Sequence, residues 1–349
     1  MVPPASRIAV VGAGLIGRAH ARAITIAPGV TLASFTDPTP AAETAASEFG
    51  VPLFDRIETM LAAGSADGVI LATPNQLHAS GALACIAAGL PVLVEKPLAS
   101  DLASARAIVD AGEQAGIPVA TGHHRRHNPL IVKAKQLIAG GTLGRIASVQ
   151  GSAMFLKPDD YFEAGWRRAQ GAGPVYLNLI HDIDLMLHLC GPITRLQAME
   201  SSAIRGFEVE DTATITLQFE SGALGTVNVS DTALTPLSWE LTARENPAYP
   251  ATSQDCYWIA GTDGSLALPS LTLWTNPGQR GWWQPISATR IPFDFADPLV
   301  LQAAQFGRVI RREEPPLVTA RDGLAALEVI EAVKQAAASG QIVVPGQGG

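Results

Sequence analysis

Three cysteines in 349 residues, Cys85, Cys190 and Cys256, are too few, too far apart and odd in number for a disulfide framework. None belongs to a C-x-x-C, so the common zinc and dithiol arrangements are excluded too. Buried free thiols in a reducing compartment fit better. Charge is also sparse: Asp, Glu, Lys and Arg supply 16% of the chain against 47% hydrophobic residues. That is the balance of a well-buried globular protein and not of a disordered one. Basic residues are the minority, and a net charge of −8 with a pI of about 5.4 speaks against nucleic acid or an anionic membrane as main partner. No apolar run reaches membrane-spanning length, and no basic segment precedes the first apolar run as a secretion signal would require. Repeats and low-complexity tracts are missing, apart from a tail, Gly346–Gly349, expected to fray. A soluble, cytoplasmic chain with room for two domains is what these absences leave.

What is present starts almost at once. Arg7 to Val11 is a short apolar run that leads straight into Gly12-Ala13-Gly14-Leu15-Ile16-Gly17, a G-x-G-x-x-G. Alone this is a weak signal, since glycine turns are common. Its context is specific: a strand-like run before it, an Ala-rich helical stretch (Arg18–Ala27) after it, and Asp37 at the end of the next apolar segment, 20 residues beyond Gly17. Gly12 permits the tight turn, Gly14 the close approach of a pyrophosphate, and Gly17 helix–strand contact, while the helix N-terminus offers free N–H groups to phosphate. Asp37 suits the adenosine ribose hydroxyls and repels a 2′-phosphate; Pro38-Thr39-Pro40 follows it, with no arginine, so NAD is favoured over NADP.

The first third alternates strands (8–11, 31–36, 68–72, 91–94, 118–121) with helical patterns (18–27, 40–49, 57–63, 77–88, 102–115), the rhythm of βαβ units on a parallel sheet. Asp101 is placed to cap a helix, and Gly89 and Gly116 to end two. The rhythm changes after Gly122. Asn128–Ala139 and Tyr176–Leu189 read as helices and Ile146–Phe155 as a strand; then strands are expected at 212–219, 223–229, 239–243, 257–261 and 265–268, joined by short turns. Two helices, about 298–311 and 321–339, close the chain. The expected fold is α/β: a doubly wound Rossmann domain over residues 1–122, then an α+β domain over 123–349 with an open, mainly antiparallel sheet. The first is expected to bind a dinucleotide, the second to bind substrate and to assemble subunits.

Ligands of an open parallel sheet bind beyond the carboxyl ends of its strands. Three of these ends carry polar clusters: Thr73-Pro74-Asn75-Gln76-Leu77-His78, then Glu95-Lys96-Pro97, then His123-His124-Arg125-Arg126-His127. Farther on, Gly171-Ala172-Gly173-Pro174 leads into Asn178, His181 and Asp184, three apart and so on one helical face. Together these pieces resemble the glucose–fructose oxidoreductase, inositol dehydrogenase and rhizopine-catabolism family, written Gfo/Idh/MocA, over essentially the whole chain. Glu95-Lys96-Pro97 in register after a Rossmann half is the most specific part.

The resemblance implies an NAD(P)-dependent oxidoreductase of sugars, cyclitols or related polyhydroxy acids, assembled as a homodimer or homotetramer through the second domain's sheet. It matches Lys96 and His181 to the family's active-site lysine and histidine, facing the nicotinamide, and implies a cis Lys96–Pro97 bond. It departs at Leu177, where the family often has an aspartate four residues before the histidine. Oxidising a secondary alcohol needs a base and a cation beside the developing alkoxide, roles that suit His181 and Lys96. The cofactor is expected on Gly12, Gly14, Leu15, Ile16, Gly17, Asp37, Thr73, Asn75, His78, Glu95 and Lys96. Substrate contacts are expected from His124, Arg125, Arg126, Trp166, Arg167, Asn178 and His181, the arginine forks suiting carboxylates or vicinal hydroxyls. The histidines lack the carboxylate–histidine spacing of a metal site, and no metal is expected. Two other readings share these residues: a glycosidase-type enzyme that uses bound NAD transiently, and a non-catalytic sugar or nucleotide sensor.

Overall fold

The structure is a computed structural model and describes residues 4–347; the last two residues of the expected tail lie outside that range. Contacts divide the described residues into two units, 4–128 with 296–327, and 129–295 with 328–347.

The first unit is built on six parallel strands, β1 (Ser6–Val11), β2 (Val30–Thr36), β3 (Leu53–Phe54), β4 (Gly68–Leu71), β5 (Val92–Val94) and β6 (Val119–Thr121). Their order, β3-β2-β1-β4-β5-β6, is the doubly wound arrangement with its switch between β1 and β4. Consecutive strand residues point to opposite faces, so each face has its own core. Ile8, Val10, Phe35, Ile70 and Leu93 pack with α1 (Leu15–Ile26), α2 (Ala41–Phe49) and α9 (Pro298–Ile310). Ala9, Val11, Val69, Leu71, Val92 and Val94 pack with α3 (Ile57–Ala62), α4 (His78–Ala87) and α5 (Leu102–Ala115). Asp101 caps α5 by accepting from the Ser104 N–H at 2.8 Å, and Gly116 ends it with φ 63°.

Residues 296–327 depart from the expected division, which gave everything from His123 onward to the second domain. Helix α9 belongs to the first unit because its apolar face covers β2 so closely that a Cβ on Gly307 would lie 2.3 Å from Val30 Cγ1. Helix α10 (Ala320–Ser339) starts in the first unit and ends in the second.

The second unit carries an eight-stranded sheet in the order β14-β13-β12-β11-β7-β10-β9-β8. Its strands are β7 (Ile146–Met154), β8 (Ile193–Ser201), β9 (Thr212–Phe219), β10 (Leu224–Ser230), β11 (Tyr257–Gly261), β12 (Gly264–Leu268), β13 (Thr272–Thr275) and β14 (Ser287–Arg290). Only β7 and β10 pair in parallel. Helix α6 (Pro129–Ala139) precedes the sheet, and α7 (Ile180–Cys190) lies across β7, where a Cβ on Gly151 would meet Met186 Cε at 2.3 Å. Ala213, Ile215, Leu217, Val227 and Val229 face this core. On the other face Thr214 bonds Asn228 across the pair, beside Thr216, Thr226 and Gln150.

Residues 239–243 are not the expected strand. Trp239–Thr242 forms a single helical turn, α8, because Ser238 accepts from the Leu241 N–H and the Thr242 hydroxyl donates to the Ser238 carbonyl. The apolar alternation read there is one buried tryptophan, Trp239, tilted against Tyr257.

Candidate active site

The glycine loop is shaped by three different demands. Gly12 has φ 97°, and a Cβ there would sit 2.4 Å from the Ala72 carbonyl oxygen. A Cβ on Gly17 would sit 1.9 Å from the Gly12 oxygen, closing the turn that joins β1 to α1. Gly14 meets nothing within 4 Å: the space above it is open. It also caps α1 without any side-chain bond, so the first-turn N–H groups stay available beside exposed Leu15 and Ile16. These features fit the pyrophosphate of a dinucleotide.

Asp37 sits at the carboxyl end of β2. One oxygen accepts from the Ala13 N–H at 2.8 Å, and the other from the Thr39 N–H and hydroxyl at 2.8 and 2.6 Å. Burial works to raise its pKa, but these hydrogen bonds prevail and hold the carboxyl below its usual range. The loop itself thus fixes Asp37 in its charged form. Arg18, the first cation after the fingerprint, is already held by Glu48.

Two residues expected to touch the cofactor are placed inside instead. Glu95 is buried at the end of β5, with one oxygen 2.7 Å from His20 Nε2 on α1 and the other accepting from the Lys96 N–H at 3.0 Å. Burial would raise its pKa; the His20 hydrogen bond and charge, with His124 and Lys96, bring it down to about 2. Gly122 makes room for it, since a Cβ there would lie 2.8 Å from the Glu95 carboxyl carbon. His78 is fully buried, its two nitrogens 2.8 Å from the Pro97 carbonyl and 3.0 Å from the Thr73 carbonyl. It braces the loops after β4 and β5. Sequence reasoning passed over His20, whose only clue was a polar residue on the inner face of an apolar helix.

The flanking residues stay at the loop edge. Thr73 and Asn75 are half-buried, as is Lys96, followed by a cis bond to Pro97. His124 is half-buried on a 3₁₀ turn, 124–127, while Arg125 and Arg126 are buried. Arg126 pairs with Asp322 at 3.1 Å, which in turn caps the chain at Thr319. That guanidinium tethers 319–322 to the turn and is not the open substrate fork expected of it.

In the second unit, a π-helical turn, Val175–Leu179, carries Asn178 and runs into α7, whose second residue is His181. Such turns shift helix register and recur at functional sites. Glycine is needed just before it: a Cβ on Gly173 would lie 2.1 Å from Glu210 Oε1, which accepts the Val175 N–H at 3.1 Å. The other Glu210 oxygen takes Lys334 at 2.7 Å, and Lys334 also holds Glu200 at 2.7 Å. This anchored start sets the helix. His181 is 9% exposed, Asn178 half-buried, Asp184 fully buried, and Asp182 bonds Tyr257.

Trp166 is 58% exposed on a 3₁₀ turn, 165–168. Its neighbour Arg167 is not free for a substrate: it stacks 4.0 Å from the Tyr161 ring centre and donates to the Tyr161 carbonyl at 2.7 Å. Among the described residues no group of three or more His, Cys, Asp or Glu is gathered for a metal ion, and no helix is long and apolar enough to cross a membrane.

The profile of an oxidoreductase family with an NAD-binding Rossmann fold, GFO/IDH/MocA, matches residues 6–123, and that of the GFO/IDH/MocA C-terminal domain matches 131–267. The chain is 30% identical to 1,5-anhydro-D-fructose reductase of Ensifer adhaerens, over 82% of this chain and 81% of that one. It is 28% identical to scyllo-inositol 2-dehydrogenase (NAD(+)) of Bacillus subtilis, over 93% and 91%. Among solved structures, the WlbA dehydrogenase of Bordetella pertussis, in complex with NADH and UDP-GlcNAcA, superposes with a TM-score of 0.78 at 26% identity, over 97% and 98%.

Proposed function

The chain belongs to the GFO/IDH/MocA oxidoreductase family, and from that membership we propose that it is an NAD-dependent dehydrogenase of a secondary alcohol in a sugar, cyclitol or sugar acid. The observation that carries the cofactor half is the glycine loop: open above Gly14 and locked to a charged Asp37 through the Ala13 N–H. Relatives that reduce anhydrofructose or oxidise scyllo-inositol support the substrate class.

The chain's own residues divide the work. Gly12, Gly14, Leu15, Ile16 and Gly17 hold the pyrophosphate and Asp37 the ribose, with Thr73, Asn75 and Lys96 at the loop edge. Nicotinamide, when bound, supplies the hydride acceptor. Lys96 steadies the developing alkoxide with its ammonium charge, and His181 takes the hydroxyl proton. His124, Trp166, Asn178 and His181 are the substrate contacts; Arg125, Arg126 and Arg167 shape the walls behind them. No carboxylate at Leu177 tunes the histidine.

The test is NADH formation across a panel of sugars, cyclitols and sugar acids, run in parallel with NADP. Turnover with NAD and little with NADP is expected; in Asp37→Ser the gap between the two should narrow, since the repulsion of a 2′-phosphate is gone. An unchanged preference would remove Asp37 from the cofactor site. We further propose a cytoplasmic homodimer or homotetramer. The outer face of the second sheet, rich in Thr and Gln and with few charges, supports assembly, and the three buried thiols support a reducing compartment. Light scattering at micromolar concentration should give a multiple of the 36.4 kDa chain; a monomer mass would count against assembly.

A further inference from the structure

The second unit carries a surface-open cavity of about 370 Å³ that no residue proposed for the cofactor or for hydride transfer lines. Its walls include Arg244 and Gln254 beyond α8, Ser270 beyond β12, and Arg290, Phe293 and Phe295 from β14 onward. No Asp or Glu lines it. Three acids adjoin lining residues in sequence: Glu245 follows Arg244, Asp294 lies between Phe293 and Phe295, and Asp255 follows Gln254 and spends both oxygens on Ser270, accepting from its N–H at 2.7 Å and its hydroxyl at 2.9 Å.

Neither Arg244 nor Arg290 forms an ion pair among the described residues, whereas Arg205 and Arg280 in the same unit pair with Asp231 and Asp263. Two arginines and no acid thus line one cavity of a chain whose net charge is −8. Arg244 also holds φ at 58°, a left-handed conformation that a residue with a Cβ adopts at a cost and that recurs at ligand sites. Phe293 and Phe295 stand 40% and 68% exposed at its edge, so their rings are open to a ligand.

We propose that this cavity binds a small organic phosphate ester, with the Arg244 and Arg290 guanidiniums on the phosphate oxygens and Phe293 and Phe295 against a flat ring. Guanidinium forks match phosphate oxygens two at a time, and the aromatic faces bury the ring. The volume suits one or two rings, at the small end of ligand pockets of roughly 300–1,000 Å³.

The probe is phenyl phosphate, titrated by calorimetry into the full chain saturated with NADH so that the glycine loop is already occupied. Binding is expected at one site, weaker for inorganic phosphate alone, and reduced about tenfold or more in Arg290→Gln and Arg244→Gly, as for loss of a charged hydrogen bond. Arg244→Gly relieves the left-handed backbone and so leaves the fold intact, which thermal unfolding will confirm. No binding at millimolar phenyl phosphate, or equal binding by both arginine variants, overturns the site. Benzoate binding as tightly as phenyl phosphate overturns the assignment to phosphate.

Discussion

Replacing His181 by alanine is expected to lower turnover by ~10²–10⁴, the loss that follows removal of a general acid–base, while leaving NAD affinity nearly unchanged. The glycine loop and Asp37 belong to the other unit, so the cofactor contacts survive the substitution. His181 follows a π-helical turn whose start is pinned by Glu210, so the ring is carried on a firm backbone and its loss should not unravel the helix. Lys96→Ala should also cripple turnover, and unlike His181→Ala it should weaken NAD, because Lys96 lies at the β5 end of the nucleotide sheet. Steady-state kinetics with cofactor titration by fluorescence separate the two. Near wild-type turnover in His181→Ala would transfer the proton-accepting role to Lys96 or His124.

The parts of this molecule most legible in the sequence are those governed by short-range rules. The fingerprint, the strand–helix alternation of the first sheet and the Asp101 and Gly116 helix ends all follow from local sterics and hydrogen bonding. Pairings across long stretches of chain were not legible. Arg126 reads as a surface fork until Asp322 is seen beside it, and Glu95 reads as a cofactor ligand until His20 is found 2.7 Å away. Nor could periodicity show that α9 returns to cover β2, because the pattern of a buried helix does not name its partner. Strand β8 and the short strands β13 and β14 escaped for a related reason: edge and near-edge strands carry mixed residues and so weak alternation. The turn at Ser238 failed differently, since one capping hydroxyl outweighed an apparent strand pattern.

The buried pair between His20 and Glu95 should govern both stability and cofactor binding. Glu95→Ala is expected to cost about 1.5–3 kcal/mol, the usual loss of a hydrogen bond to a charged group, with buried His20 left without that partner. The acid limb supplies an independent check. Glu95 titrates near 4.5 when unfolded and about 2 when folded, so its contribution is complete above the unfolded value and fades as pH falls from there toward the folded one. By the constant of 1.36 kcal/mol per pKa unit that contribution is about 3 kcal/mol. Glu95→Gln, which keeps the shape and a hydrogen-bonding oxygen but not the charge, should therefore lose stability at neutral pH and show a shallower decline in acid. Urea unfolding at neutral pH and at about pH 3 measures both. Because His20 rides on the helix whose N-terminus frames the glycine loop, the same variants should bind NAD more weakly without any change in a residue that touches it. Stability equal to wild type together with unchanged NAD affinity would show that α1 is held by its apolar face alone.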